Sequence, residues 1–310
     1  MSNDRQRYTQ YIYFAIVYYS DIKDKNILIE MEVFSTIKAL QEAVNNAKNN
    51  GKTVGLVPTM GALHEGHLSL IRTAKKHCDV VVVSIFVNPI QFNNADDLRT
   101  YPRTLEADCQ KLETVGCDMV LAPSVEEMYP EPVNETYNFG ELEAVMEGPR
   151  RPGHFSGVAV VVRRLFEIVQ PMKAFFGEKD FQQLAIIRRL VEQLQLPLEI
   201  VPCPIVRADD GLALSSRNMR LSDEARKIAP QIYATLKAAV DKSKNQSIEE
   251  VKQYVIDTLN GFGVFEPEYF EIVNDTTLQP VAKWNDAQGI VGCIAVWLDG
   301  VRLIDVIRFK

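Results

Sequence analysis

Two histidines, His64 and His67, stand three residues apart in the stretch "PTMGALHEGHLSLI" (Pro58 to Ile71), with glycines at Gly61 and Gly66. The preceding "KTVGLVPT" is a short apolar run that reads as a strand. From His67 to Cys78 the spacing is helical, with Leu68, Ile71, Ala74 and Lys75 turning about one axis. The histidines therefore fall where a strand gives way to a helix. In a parallel sheet such a turn lies at the carboxyl edge, where ligands bind. A helix start offers free N–H groups and a partial positive charge to an anion. The glycines let backbone come close to it, and the histidines add donors for phosphate oxygens. One alternative is a pair of ordinary surface histidines with turn-forming glycines. A metal site is the weaker alternative, because the segment is not H-E-x-x-H and no third His or Cys stands nearby.

Two further clusters carry the same chemistry. "GEKDFQQ" (Gly177 to Gln183) again joins an apolar strand, "KAFFG", to a helix. It brings Lys179, a point charge suited to phosphate, and Asp180, suited to Mg²⁺ or a hydroxyl. "LALSSRNMRLS" packs serines and arginines into a loop-rich joint, as a triphosphate clamp requires. Each cluster alone could be a solvated loop. Three at the same kind of edge point to a nucleotide site.

The elements that must position them alternate. "DVVVVSIFV" is a β-branched run suited to a strand buried on both faces. A loop, "NPIQFNNADDLRTYPR", follows; Thr104 to Val115 reads as a helix and "DMVLAP" as a strand. "SVEE" (Ser124 to Glu127) matches a capping box. Ser156 to Val169 and Asp180 to Leu194 read as helices, and "LEIVPCP" as a strand. Alternation of this kind builds a doubly wound parallel α/β sheet. After Pro204 the pattern changes. Helices are expected over Ser222 to Lys244 and Ser247 to Leu259, then strands in "EYFEIV", "GIVGCIAVWLDG" and "VRLIDVIRF", with Asp299-Gly300 as a hairpin turn.

Composition narrows the class. With 310 residues, 46% hydrophobic and 24% charged, the chain has the profile of a globular protein with a real core. The net charge of −7 and the lack of a long basic run speak against nucleic acid. "YIYFAIVYYS" (Tyr11 to Ser20) is too short to span a bilayer, so no membrane partner is expected. The cysteines Cys78, Cys109, Cys117, Cys203 and Cys293 lack C-x-x-C spacing and read as reduced thiols of a cytoplasmic protein. Residues 1–30 do not fit the alternation and are expected to be a dispensable extension.

"PTMGALHEGHLSL", "SIFVNPIQF", "YPRTLEAD", "RPGHFSGVAVVV", "FFGEKDFQQ" and "LSSRNMRLS", in this order and spacing, resemble the pantoate–β-alanine ligase (pantothenate synthetase) family from about Met31 to the C-terminus. "HEGH" and "SSRN" look like its versions of the HIGH and KMSKS-type signatures of a nucleotidyltransferase superfamily. The resemblance implies a Rossmann-like domain over 31–205 binding ATP and pantoate, a smaller α+β lid domain over 206–310, and a homodimer. It implies that pantoate attacks the α-phosphate of Mg²⁺-ATP to give pantoyl-adenylate and pyrophosphate. β-Alanine then displaces AMP. By motif, Met60, Gly61, Ala62, Leu63, His64, Glu65, Gly66 and His67 meet ATP, with His67 as proton donor and His64 and Lys179 also catalytic. Gly177, Glu178, Lys179, Asp180, Val206, Leu214, Ser215, Ser216 and Arg217 complete the nucleotide site. Gln91 and Gln183 hold pantoate, Gln91 also meeting β-alanine; Asn88 and Tyr101 join the pocket, and Asp108 helps hold Mg²⁺. Rival readings are another adenylyl transferase, against which the two glutamines speak; a silent nucleotide-binding regulator, which loss of His67 or Lys179 would favour, though both are present; and an interaction protein, which would leave three convergent polar loops unexplained.

Overall fold

The computed structural model describes residues 31–310, which form one compact unit. The expectation about residues 1–30 lies outside the described residues. Strands β1 (Glu32–Phe34), β2 (Val54–Thr59), β3 (Val80–Ile85), β4 (Met119–Leu121), β5 (Lys173–Gly177) and β6 (Glu199–Cys203) make a six-stranded sheet in the order β1-β4-β3-β2-β5-β6. All its pairings are parallel. Helices are α1 (Ile37–Asn49), α2 (Glu65–His77), α3 (Ala95–Thr100), α4 (Leu105–Thr114), α5 (Val125–Met128), α6 (Glu147–Arg150), α7 (His154–Val169), α8 (Phe181–Gln193), α9 (Asp223–Ile228), α10 (Gln231–Lys242) and α11 (Ile248–Gly261). Residues of α1, α7 and α8, such as Leu40, Val162 and Ile187, pack with Leu56 and Val82 on one face of the sheet. Leu68 and Ile71 of α2 and Leu112 of α4 pack with Val57 and Val81 on the other. This double cover explains the unbroken valine run in β3: both faces are dry.

The strand order reverses between β2 and β5, whose registered pairs are only Gly55 with Lys173 and Leu56 with Ala174. Their carboxyl halves pair with β3 and β6 but not with each other. A crevice opens there, at the switch point where doubly wound sheets bind ligands. The histidine turn follows β2 and the Lys179 turn follows β5, so the order of strands alone brings the two motifs face to face.

The rest of the unit is a three-stranded antiparallel sheet, β7 (Phe265–Asn274), β8 (Ile290–Leu298) and β9 (Val301–Arg308), with α9 to α11 packed on it. Asp299 and Gly300 have φ of 54° and 66°, the left-handed pair that a tight hairpin between twisted strands needs. Its other face meets Met146 and Phe181.

Several expectations change in detail. The helix expected over Ser222 to Lys244 is two, split at Ala229-Pro230, because proline has no N–H for the helix ladder and crowds the preceding turn. The loop after β3 contains α3, capped by Asn94, whose side chain accepts from Asp96 N and Asp97 N. At "SVEE" only half of the capping box forms. Ser124 Oγ accepts from Glu127 N at 3.1 Å, while Glu127 turns to Ile37 N at 2.7 Å and ties α5 to α1. The box at Ser247 and Glu250 is complete.

Candidate active site

The turn after β2 is held in an unusual backbone shape. Gly61 and Ala62 both have positive φ, 79° and 49°. An alanine in the left-handed region costs energy, so something must hold it there. Asp108 of α4, fully buried, does so: its carboxylate accepts from Ala62 N at 2.9 Å, Leu63 N at 2.7 Å and Thr104 Oγ1 at 3.0 Å. Lys111, one turn on, donates to Leu63 O at 2.6 Å. A Cβ on Gly61 would lie 3.1 Å from both Asp108 and Ile85. Asp108, expected to help hold Mg²⁺, lies beneath the turn and does not line the cavity. Its oxygens already accept three fixed donors, and it shapes the turn from beneath.

His64 and His67 cap α2 reciprocally. His64 Nδ1 accepts from Gly66 N at 3.1 Å, and His67 Nδ1 accepts from His64 N at 3.3 Å. A ring nitrogen that accepts from a backbone N–H carries no proton, so each neutral imidazole keeps its proton on Nε2. Gly66 is needed for this packing, since a Cβ there would meet the His64 ring at 2.8 Å. Burial, with Lys179 and Lys111 nearby, lowers the His64 pKa to about 4; burial, His64 itself and the lysines hold His67 well below the usual histidine range. His154, buried on α7, is likewise lowered to about 4, by burial and then by the charge of Arg151.

These shifts set a pH dependence. The unfolded chain protonates His64 and His154 near pH 6.5, the folded chain only nearer 4, so the unfolded state binds more protons in between. Stability from this source is complete above about pH 6.5 and falls as pH drops towards 4. The urea midpoint should therefore decline from about pH 7 to about pH 5, above the main carboxylate range, and His154→Gln should lessen the decline. A midpoint flat across that interval would contradict it.

Around the crevice lies a cavity of about 220 Å³. Met60, His64, Gly66 and His67 line it from the β2 turn, Gly177, Lys179, Asp180 and Gln183 from the β5 turn and α8, and Gln91 and Tyr101 from the segment after β3. Val206, Leu214, Ser215, Ser216 and Arg217 close it. The closing loop is pinned by a Leu214 N to Val206 O bond of 3.0 Å and by Ser216 Oγ donating to Ala62 O at 3.0 Å. Gly61, Ala62 and Leu63 do not line the cavity; they form the turn beneath it. Glu65 is exposed and pairs with Arg72, and Glu178 also lies off the lining.

Asn88 is fully buried and lies behind Gln91 instead of in the pocket. It donates to Gln91 Oε1 and to Gly157 O, both at 3.1 Å, so it orients the glutamine. Gly157 permits this approach, since a Cβ there would stand 2.7 Å from Ile90 O. Gln91 Nε2 reaches Met60 Sδ at 3.2 Å. Gln182, next to Gln183, is structural: it donates to Leu142 O and Val145 O and accepts from Glu147 N. Residues that sequence reasoning left without a role include Asp97, which accepts from Arg217 at 2.9 Å and Arg220 at 3.0 Å, and Val158, Val161 and Leu165, which give the cavity an apolar wall. The wall carried a signal in the valines of "RPGHFSGVAVVV"; Asp97 carried none, because its partners lie 120 and 123 residues away.

A family profile described as Pantoate-beta-alanine ligase matches residues 32–308. The chain belongs to the pantoate-beta-alanine ligase family. Pantothenate synthetase of Bacteroides fragilis is 53% identical over 280 residues, 90% of this chain and 99% of that one. Its Porphyromonas gingivalis counterpart is 51% identical, with 90% and 100% covered. Among solved structures, pantothenate synthetase from Thermus thermophilus is similar with a TM-score of 0.85 and 44% identity, covering 90% of this chain and all of that one. A pantoate-beta-alanine ligase from Francisella tularensis, described as complexed with beta-gamma ATP and beta-alanine, has a TM-score of 0.76 and 36% identity, with 90% and 98% covered. The chain is thus an enzyme of pantothenate biosynthesis, with the sheet architecture of its relatives. Among the described residues, no helix is long and apolar enough to cross a membrane.

Proposed function

We propose that the cavity at the switch point carries both steps of an ATP-dependent ligation. A pantoate carboxylate oxygen attacks the α-phosphorus of ATP, and the bond to the β-phosphate oxygen breaks to release pyrophosphate. The amine of β-alanine then attacks the acyl carbon, and AMP leaves. The observation that carries this reading is the convergence on one cavity of the capped histidines, Lys179 and Ser215 to Arg217, with Gln91 and Gln183 beside them.

The division of labour follows from donor chemistry. The first step needs no base, because a carboxylate is ionised at neutral pH. It needs the growing charge on phosphoryl oxygens to be met by fixed donors. His64 and His67 offer Nε2–H groups whose direction is set by their Nδ1 bonds, and Lys179 and Arg217 add cations. With its pKa held low, His67 acts first as a hydrogen-bond donor; a bound triphosphate would raise that pKa and let the same atom serve as a proton donor. Gln91 and Gln183 suit pantoate, because an amide both donates to a carboxylate and accepts from hydroxyls. Phe86, Val158 and Val161 suit its methyl groups.

Among the described residues no cluster of three or more His, Cys, Asp or Glu could hold a metal. The fit to Mg²⁺ is that of an ion brought by the nucleotide, which takes one or two carboxylates and completes its shell with phosphate and water. Asp180, exposed at the cavity mouth and only 3.8 Å from Lys179, is the carboxylate that would hold it. Such an ion supplies charge neutralisation on the phosphates. The five free thiols suit the reducing cytoplasm, where we place the enzyme, and we take it to be a homodimer as the family resemblance implies.

Pantoate-dependent exchange of labelled pyrophosphate into ATP, with Mg²⁺ present and β-alanine absent, tests the reading. Exchange is expected, and adding β-alanine should release AMP. ADP as the stoichiometric product, or no exchange with all three components saturating, would overturn it.

A further inference from the structure

The buried amide of Asn88 fits only one way round. Its Oδ1 accepts from Ile90 N at 3.3 Å, and its Nδ2 donates to Gly157 O at 3.1 Å. A backbone N–H only donates and a backbone carbonyl only accepts, so the two ends of the amide cannot exchange. The orientation passes on to Gln91. Asn88 Nδ2 donates to Gln91 Oε1 at 3.1 Å, which engages that oxygen behind the cavity and leaves Gln91 Nε2 beside Met60 Sδ, at 3.2 Å. Met60 and Gln91 line the switch-point cavity, whereas Asn88 does not. Gln91 therefore presents an N–H donor to a ligand there.

A third side chain completes the relay. Tyr129 Oη donates to Asn88 Oδ1 at 3.0 Å, across 41 residues, and is the shorter of the two contacts to that oxygen. Tyr129 directly follows α5, and its N–H is tied to Val125 O at 2.8 Å. The helix is itself anchored, by Glu127 accepting from Ile37 N and by Met128 O accepting from Arg164 Nε at 3.0 Å. The Tyr129 ring packs edge-on against Phe86, with centroids 5.9 Å apart, and Phe86 is a wall of the cavity. Tyr129 itself does not line the cavity. It is a half-buried phenol, held by packing and by its helix, whose one proton is committed to the amide behind a substrate-facing glutamine. Such outer contacts lock the rotamer of the side chain that meets the ligand.

We propose that Tyr129 is a positioning residue for pantoate: through Asn88 it holds the Gln91 amide with Nε2 towards the cavity, so that Gln91 donates to a pantoate oxygen. Accepting from the pantoate hydroxyls then falls to Gln183, on the opposite wall. Without the phenol, Asn88 Oδ1 keeps only the longer bond from Ile90 N, and the glutamine is held less firmly in its donor orientation. The nucleotide side of the cavity is built from other turns and does not depend on this relay. The inference rests on the placement of pantoate beside Gln91 and Gln183 proposed above.

The test compares KM values for pantoate, measured on pantothenate formation with Mg²⁺-ATP and β-alanine saturating. Tyr129→Phe, which deletes only the hydroxyl, should raise this KM about 3- to 10-fold, the worth of one neutral hydrogen bond, and leave the KM for ATP unchanged. Gln91→Ala should raise it further. Adding Tyr129→Phe to Gln91→Ala should then raise it no more, because the tyrosine acts through the glutamine. Gln91→Glu keeps the shape but loses the donor, and should use pantoate no better than Gln91→Ala. A folded Tyr129→Phe variant with an unchanged pantoate KM would overturn the proposal. So would an equal rise in the KM for ATP, which would make Tyr129 merely structural, multiplicative effects in the double variant, or near-wild-type use of pantoate by Gln91→Glu. An unchanged pantoate KM in Gln91→Ala would instead overturn the placement of pantoate itself.

Discussion

Replacing His67 or Lys179 by alanine should slow pantoate-dependent pyrophosphate exchange by about 100- to 1000-fold, the usual loss when one preorganised donor is withdrawn from a developing phosphoryl charge. Two effects compete in His67→Ala, and their sizes decide the outcome. The variant loses the Nδ1 acceptor for His64 N, half of the reciprocal cap, worth about 1 kcal/mol of stability. Against a net stability of roughly 5–15 kcal/mol, the chain stays folded. The catalytic loss, about 3–4 kcal/mol, dominates. Among the described residues Lys179 has only Asp180 as an ion partner, at 3.8 Å, so its removal disturbs the fold still less. Exchange rates measured beside circular dichroism spectra check this. A folded variant of either kind with wild-type exchange would show that these residues do not face the reacting phosphate.

Asp108→Asn should destabilise the protein by about 3–4 kcal/mol and remove most activity, although Asp108 touches no part of the cavity. The amide keeps one acceptor oxygen and replaces the other with a donor. Three donors now converge on that group: Ala62 N, Leu63 N and Thr104 Oγ1. At least one buried N–H is left unpaired against an N–H, each such group costing roughly 1–3 kcal/mol. The left-handed pair Gly61-Ala62 then loses what holds it, and His64 and Ser216, which are both tied to this turn, move with it. Thermal unfolding should shift down by roughly 10 °C. The result also separates the two roles considered for this residue. A metal ligand would leave the melting temperature near wild type and raise the Mg²⁺ requirement, whereas a turn anchor lowers the melting temperature at any Mg²⁺ concentration.

Part of the site was legible because its causes are local. The strand, the turn and the helix around His64 and His67 follow from apolar spacing and from glycines within a few residues of one another. So does the turn at Lys179. The strand–helix alternation also places both turns at one edge of a parallel sheet, since parallel strands all carry their carboxyl ends to the same edge. Even the reciprocal histidine cap is a matter of four consecutive residues, although only the structure shows that it fixes each ring's tautomer. The break at Pro230 was equally local, and a strict reading of proline would have found it.

What the tertiary structure alone decided are contacts whose partners are far apart in the chain. Asp108 meets Ala62 and Leu63 across 46 and 45 residues, so nothing near "YPRTLEAD" distinguishes a turn anchor from a metal ligand. Asn88 turns away from the pocket because Gly157, 69 residues on, leaves room for its amide to reach a backbone carbonyl. His154 has its proton placed by the backbone carbonyl of Gln91, 63 residues earlier. Local spacing determines which element forms and where a motif falls within it. Which atoms of that motif remain free for a ligand depends on every other group that the fold brings within hydrogen-bonding distance.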